Sequence, residues 1–278
     1  MISRRGLVAG VCALAAAPLR LKADSPPLIL TGPMEQGSLV IGFARPCSVT
    51  VDGARLRVSE HGIFVFGFAY DQTAPTRLEA RYDDGAQERR EALPRPRQYE
   101  TQSVNGLPER FVAPSAEQLA RIEAENARVF EARKRDTAGV GFAEPFDWPI
   151  PGIVSSLYGS RRIDNGKPMA PHLGLDIAAP ENTPIRAPAD GEVSLAEPDF
   201  FLTGGTTLLD HGHGVSTAYV HQNALRVKVG DRVRRGDVIG LVGMKGRATG
   251  PHLHWGLNWF QMRLDPSRST ATPAPARA

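Results

Sequence analysis

At 278 residues with 41% hydrophobic residues, the chain is long enough to bury one large or two modest cores, which excludes a disordered protein as the default. Lys and Arg number 33 against 30 Asp and Glu, and the basic residues are interleaved with acidic ones, so no broad electrostatic footprint for nucleic acid is present. The 28 glycines and 23 prolines favour many short strands joined by turns over long helices.

The first element is not structural. Arg4 and Arg5 precede an apolar, Ala-rich run from Gly6 to Leu19 that is too short to span a bilayer and has the shape of a secretory signal over residues 1–23. Ser3 to Val8 resembles a twin-arginine signal, and cleavage after Ala17 or Ala23 fits the flanking small residues. Cys12 lies inside the run after Val11, not after the small residue a lipoprotein signal requires. Its removal leaves Cys47 alone, unable to form an internal disulfide. The mature chain is therefore expected to be exported, periplasmic or extracellular, and to carry no transmembrane anchor.

Residues 28–100 are short apolar runs separated by turn signals about every ten residues, such as Asp52-Gly53, His61-Gly62 and Asp83-Asp84-Gly85, and predict a small antiparallel β-sandwich. Nothing in it reads as catalytic, and its partners are unspecified; His61 belongs to a turn. Residues 101–139 read as a linker holding one helix over 115–136. Ser115 and Gln118 have capping-box spacing, Leu119, Ile122, Val129 and Phe130 recur at helical intervals, and Arg133, Lys134 and Arg135 fall in the last turn. The helix charges are read as a solvated face. From residue 140 to 267 the strand and turn text returns, with strands expected at Val193–Ala196, Thr206–Leu209, Val215–Val220, Leu225–Val229 and Val238–Val242. Residues 268–278 form a tail expected to be flexible. The fold class is all-β: a sandwich-like module, a helical linker and an antiparallel domain.

Chemistry concentrates in that last domain. In Gly250 to Leu257, G-P-H-L-H-W-G-L, strand alternation puts His252 and His254 on one face and Leu253, Trp255 and Leu257 on the other. His172 and Asp176, four apart in P-H-L-G-L-D, keep one face on a strand or bend, so an imidazole nitrogen and a carboxylate oxygen can converge on one ion at about 2.0 to 2.2 Å. With His254 they make three protein ligands, the number typical of a catalytic zinc site that keeps an open position. His221 closes a predicted strand, where it can aim into a cleft. His211 and His213 form a second H-x-H, but D-H-G-H-G reads as a tight turn in which Asp210 either satisfies turn amides or touches a metal.

Taken together, H-L-G-L-D at His172 to Asp176, Y-V-H at Tyr219 to His221, V-G-D-R-V-R-R-G-D-V-I-G at Val229 to Gly240 and T-G-P-H-L-H-W at Thr249 to Trp255 resemble the lysostaphin-type zinc metallopeptidases. These peptidoglycan endopeptidases are also called LytM-domain proteins. The resemblance covers about Pro149 to Pro266. It implies Zn2+ held by His172, Asp176 and His254, His221 and His252 as the catalytic histidines, and peptides of peptidoglycan as substrate, with Arg162 and Asn165 as candidates for the substrate cleft or for fixing its loop. Gln222, where the family usually has leucine, and Met244-Lys245, in place of a Thr-Gly-type loop, depart from the pattern. Two other readings compete. The Val229 to Lys245 text also looks like a biotinyl or lipoyl carrier hairpin, although the residues expected around a modified lysine are absent. A non-catalytic LytM-like activator of other wall hydrolases would have lost metal ligands, and none is lost here.

Overall fold

The computed structural model describes residues 28–44 and 47–277, so the expected signal segment lies outside the described residues. The architecture is all-β; among the described residues the helical elements are Glu109–Val112, Ala116–Ala132 and a 3-10 turn at Pro266–Arg268. Among the described residues no helix is long and apolar enough to cross a membrane.

The N-terminal region is built from two antiparallel sheets. One orders Ile29–Thr31, Leu39–Phe43 and Ile63–Gly67; the other orders Ala54–Arg55, Cys47–Val51, Thr76–Tyr82 and Gln87–Ala92. Alternation decides which face each residue serves. Val40, Phe64 and Phe66 pack with Val49 and Leu78 between the two sheets, while Leu39 and Val65, on the opposite face of the first sheet, join the core of the C-terminal region. The sandwich is thus packed through its own sheet onto the second core.

That second core sits against an eight-stranded antiparallel sheet. Its order is Arg232–Val233, Gly191–Phe200, Gly204–Gly212, Val215–Gln222, His252–Trp259, Leu175–Ala178 and Ile153–Ser156, with Met262–Leu264 pairing onto the histidine strand His252–Trp259. Leu253, Trp255 and Leu257 are fully buried on one face with Leu175, Ile177 and Tyr219. Ile185 and Ile239, from a separate three-stranded sheet, close the same core. Each such side chain contributes about 1.5–3 kcal/mol of burial, so the strand's position is set by its apolar face and its polar face is carried along.

Several expectations need correction. The run Leu225–Val229 forms a strand only at Ala224–Leu225. The linker is not merely a connection: Thr101–Val104 pairs in parallel with Arg161–Asp164. Its helix ends at Ala132, with the Ser115 capping box in place and Arg133 as C-cap. Of the apolar residues recurring at helical intervals, Leu119 and Phe130 are exposed, and the helix packs through Val129 and Ala132 onto Leu195, Phe200, Leu208 and Ala218. Nor are its charges simply solvated, because Arg121 donates to the Asp199 carbonyl (2.6 Å), Arg128 pairs with Glu197, and Glu125 accepts from the Phe201 amide (2.8 Å). Pairs this exposed contribute at most about 1 kcal/mol each, so they orient the helix more than they stabilise it. The tail has partners as well: Val154 N donates to Ala276 O and Trp148 Nε1 to Thr272 O.

The second H-x-H is structural. His213 takes positive φ (51°) in the turn, while His211 ends a strand and is buried. Nδ1–H of His211 donates to Asp190 O (2.7 Å), so Nε2 accepts from Thr217 Oγ1 (2.7 Å), which in turn accepts from Tyr219 OH (2.7 Å). Asp210 accepts from the Gly212 amide, Thr137 and Arg135. Burial pushes the His211 pKa below its ordinary value of about 6.5. Between those two values the unfolded chain binds the extra proton, so the neutral imidazole's contribution to stability is present above pH 6.5 or so and is lost as pH falls below it. In thermal melts, His211→Gln is expected to narrow the drop in Tm between pH 7.5 and pH 5.5; an unchanged drop would show that this imidazole does not set acid stability.

Candidate metal centre and cleft

The histidine strand positions the site by register. His254 lies directly opposite Asp176 on one side and Val220 on the other, and His252 lies opposite Ala178. Cross-strand partners bring Cβ atoms to about 4.5–5.5 Å, which places the His254 ring against the Asp176 carboxylate. His172 arrives from the irregular segment before Leu175, held where its amide donates to Ser160 O (2.9 Å) and its carbonyl accepts from Gly159 N (2.7 Å).

The three donors form a tight triangle. His172 Nε2 is 2.8 Å from His254 Nδ1 and 3.0 Å from Asp176 Oδ1, and His254 Nδ1 is 2.8 Å from the same oxygen. Their orientation is set from behind. Ser156 Oγ donates to Gln102 Oε1 (2.5 Å), so it accepts Nδ1–H of His172 (2.9 Å), whose second acceptor is Leu157 O (3.2 Å). The proton is therefore on Nδ1 and the Nε2 lone pair points inward. Arg162 Nη2 occupies Asp176 Oδ2 (2.8 Å) and leaves Oδ1 to the triangle.

Burial pushes His254 down to about 4, against the opposing pull of Asp176, so its ring is neutral at physiological pH. Burial alone would raise the Asp176 pKa, but His172 and His254 hold the carboxyl well below the usual carboxylate range. Lone pairs from two imidazoles and one carboxylate, all directed at one point, repel one another unless a cation or added protons lie among them. Such a buried N2O donor set is chemically matched to a divalent ion of the zinc type.

His221 and His252 flank this triangle, their ring centroids 4.6 Å apart and that of His221 6.4 Å from that of His254. His221 ends its strand with positive φ (64°), and its Nδ1–H donates to Lys245 O (2.7 Å). His252 Nδ1–H donates to Gly250 O (2.8 Å). Each is thereby fixed with an Nε2 lone pair directed away from its loop, and His252 Nε2 is 3.9 Å from Asp176 Oδ1. Burial, then the neighbouring His252 and His254, push His221 down to about 3. The departure at Met244-Lys245 is accommodated because that loop serves His221 through a backbone carbonyl. Gln222 is buried and bonds Thr207 Oγ1 and Tyr219 O, outside the site.

All five residues, with Arg162, line one cleft of about 580 Å³. Asn165 does not line it. That residue takes positive φ in a turn, and its side chain exchanges hydrogen bonds with the backbone of Leu107 (3.2 and 2.7 Å), the loop-fixing one of its two readings. The sequence reading missed Gln102 and Ser156, which orient His172, and Gly174, whose missing side chain makes room for His254. A Cβ at Gly174 would overlap Cε1 and Nε2 of His254. Gly174→Ala is therefore expected to displace that ring and lower affinity for a divalent metal ion by about 10-fold or more in a competition titration with a chromogenic chelator, while leaving the far-UV spectrum unchanged.

Comparison with known proteins agrees with this geometry. Residues 170–266 match the model of Peptidase family M23. A solved structure described as a putative peptidase M23 from Pseudomonas aeruginosa is 32% identical, with a TM-score of 0.64, covering 84% of this chain and 93% of that one. DD-carboxypeptidase/endopeptidase Mpg of Neisseria meningitidis is 41% identical over 104 residues, and Peptidoglycan DD-endopeptidase ShyA of Vibrio cholerae is 40% identical over 105 residues. Each match covers 37% of this chain and 24% of the relative, so the chain spans about a quarter of the length of these two curated relatives. With both histidine motifs inside the matched segment, and a solved M23 structure matched over nearly its whole length, the chain belongs to peptidase family M23, the lysostaphin-type or LytM-domain family.

Proposed function

We propose that the chain is an exported zinc metalloendopeptidase that hydrolyses peptide bonds in the stem peptides or cross-links of peptidoglycan. The observation that carries this reading is the coexistence, in one cleft, of a complete His172, Asp176, His254 donor triangle with two further histidines whose Nδ1–H groups are held by backbone carbonyls. The peptidoglycan DD-endopeptidase name of a 40%-identical relative supports the substrate class, and the signal-like N-terminal segment supports export.

When bound, zinc supplies a Lewis acid for the scissile carbonyl and lowers the pKa of water to about 7. The chain's own residues would do the rest. His172, Asp176 and His254 would hold the ion, with Ser156, Leu157 and Arg162 keeping their lone pairs aimed. Nε2 of His252 or His221 would accept the proton of the attacking water, and the resulting imidazolium would stabilise oxyanion charge or return the proton to the leaving amine. The Lys245 and Gly250 carbonyls hold the opposite nitrogen of each ring protonated, which keeps the proton-accepting atom the same through the cycle. The presence of all five side chains in one cleft supports the enzyme over the activator reading.

Replacing His172, Asp176 or His254 by alanine is expected to remove most of the bound zinc, measured by metal analysis after dialysis, whereas His211→Ala keeps it. Equal loss in His211→Ala and His172→Ala would assign the metal to the wrong histidine pair. His221→Ala and His252→Ala are expected to retain zinc yet lose on the order of 10²–10⁴-fold in the rate of sacculus cleavage. Cleavage that survived both exchanges would sink the mechanism, and chelated protein should regain activity only on adding zinc.

A further inference from the structure

The cleft does not stop at the metal centre. It continues along the polar face of the histidine strand, past Gly256 to the buried Asn258, beneath the helix Ala116–Ala132. Ile122, Asn126, Val129 and then Arg133 lie at spacings of four, three and four, a single helical stripe facing this channel. At the channel's end Arg263 stands opposite Asn258 in the register of the adjoining hairpin. Gln261 Nε2 donates to Phe130 O (3.0 Å), tying that hairpin to the end of the helix that presents Arg133.

Two guanidinium groups therefore line one end of the cleft with no acidic partner. Nε of Arg133 is buried and has no hydrogen-bond partner, and among the described residues no carboxylate acts on either guanidinium. Burial of its inner end, then the charge of Arg263, push Arg133 down to about 9. The acidic side chains lining the cleft are committed elsewhere: Glu125 to Arg121 and the Phe201 amide, Asp176 to Arg162 and the donor triangle. Arg133 is part-buried and Arg263 lies at the exposed end of the cleft; like charges facing one another are unfavourable, and an anion between them relieves the repulsion. A guanidinium fork suits a carboxylate, which can accept two parallel N–H bonds.

Resting on the endopeptidase reading above, we propose that Arg133 and Arg263 form a carboxylate subsite for the peptide being cut. Asn258 is four positions beyond His254, roughly 13 Å at about 3.3 Å per residue, so the subsite receives a free carboxylate about four extended residues from the scissile bond. The substrate class is then a peptide bearing a carboxylate at that distance, whether at its C-terminus or on a side chain.

The test uses the zinc-loaded full chain and a synthetic cross-linked stem-peptide dimer in four forms: all carboxylates free, the C-terminal one amidated, the side-chain ones amidated, or all amidated. Wild type is expected to show a KM at least about 10-fold lower for the free form than for the fully amidated one, the usual range for a charge-assisted contact, with kcat little changed. Whichever singly amidated form loses the advantage identifies the source of the carboxylate. Arg133→Gln and Arg263→Gln should each raise KM for the free form toward that of the amide, leave the amide's KM unchanged, and keep Tm and zinc content. Arg133→Lys should restore part of the difference. Equal KM for free and amidated forms in wild type, or a preference that persists in the double Gln variant, would overturn the subsite. Should wild type cut none of the peptides, the endopeptidase reading fails on its own, and calorimetric titration of the same free and amidated pair decides the subsite: tighter binding of the free form that is lost in Arg133→Gln supports it, and equal binding refutes it.

Discussion

The pairing of His254 opposite Asp176 in an antiparallel sheet is the constraint on which the rest of the molecule depends. A shift of one residue would turn His252 and His254 into the core and Leu253 and Trp255 into the cleft. Burial of Leu253, Trp255 and Leu257 makes that shift prohibitive, so hydrophobic packing on one face determines donor geometry on the other. Asp176 and His254 stand on regular strands whose register is held by several buried side chains at once, and His172 is fixed beside them by backbone hydrogen bonds to Ser160 and Gly159.

Around that pairing, proton positions are settled by backbone carbonyls and by one hydroxyl. Lys245 O, Gly250 O and the Gln102–Ser156 relay each hold a proton on Nδ1 of a histidine, so that Nε2 is the nitrogen presented to the cleft. His254 is the exception, presenting Nδ1 to the centre because its strand partner is the acid. Carbonyl control explains why the loop containing Met244 and Lys245 can differ in side chains without disturbing His221.

The segment between the two cores does more than join them. Thr101–Val104 adds a parallel strand that delivers Gln102 to Ser156 behind His172, and the following helix roofs the channel running from the His172, Asp176 and His254 triangle to Arg133 and Arg263. The sandwich is anchored to the same core through Leu39 and Val65. Its contacts therefore bear on the cleft's shape as well as on stability.

Local chemistry was legible in the sequence wherever it depended on spacing along one strand or one turn. Alternation placed His252 with His254, the four-residue step placed His172 with Asp176, and the glycines around His213 marked a turn, because strand period and turn residues are properties of the chain itself. The capping box at Ser115 and Gln118 was readable for the same reason. What only the tertiary structure decided are pairings between distant segments: Gln102 behind His172, Arg162 on Asp176, Asn165 on Leu107 rather than in the cleft, and Arg133 beside Arg263. These depend on a parallel strand pairing and on which face of an amphipathic helix is docked. Neither leaves a periodic signal in the sequence, since the free energy that selects them comes from surfaces that meet only after the chain has folded.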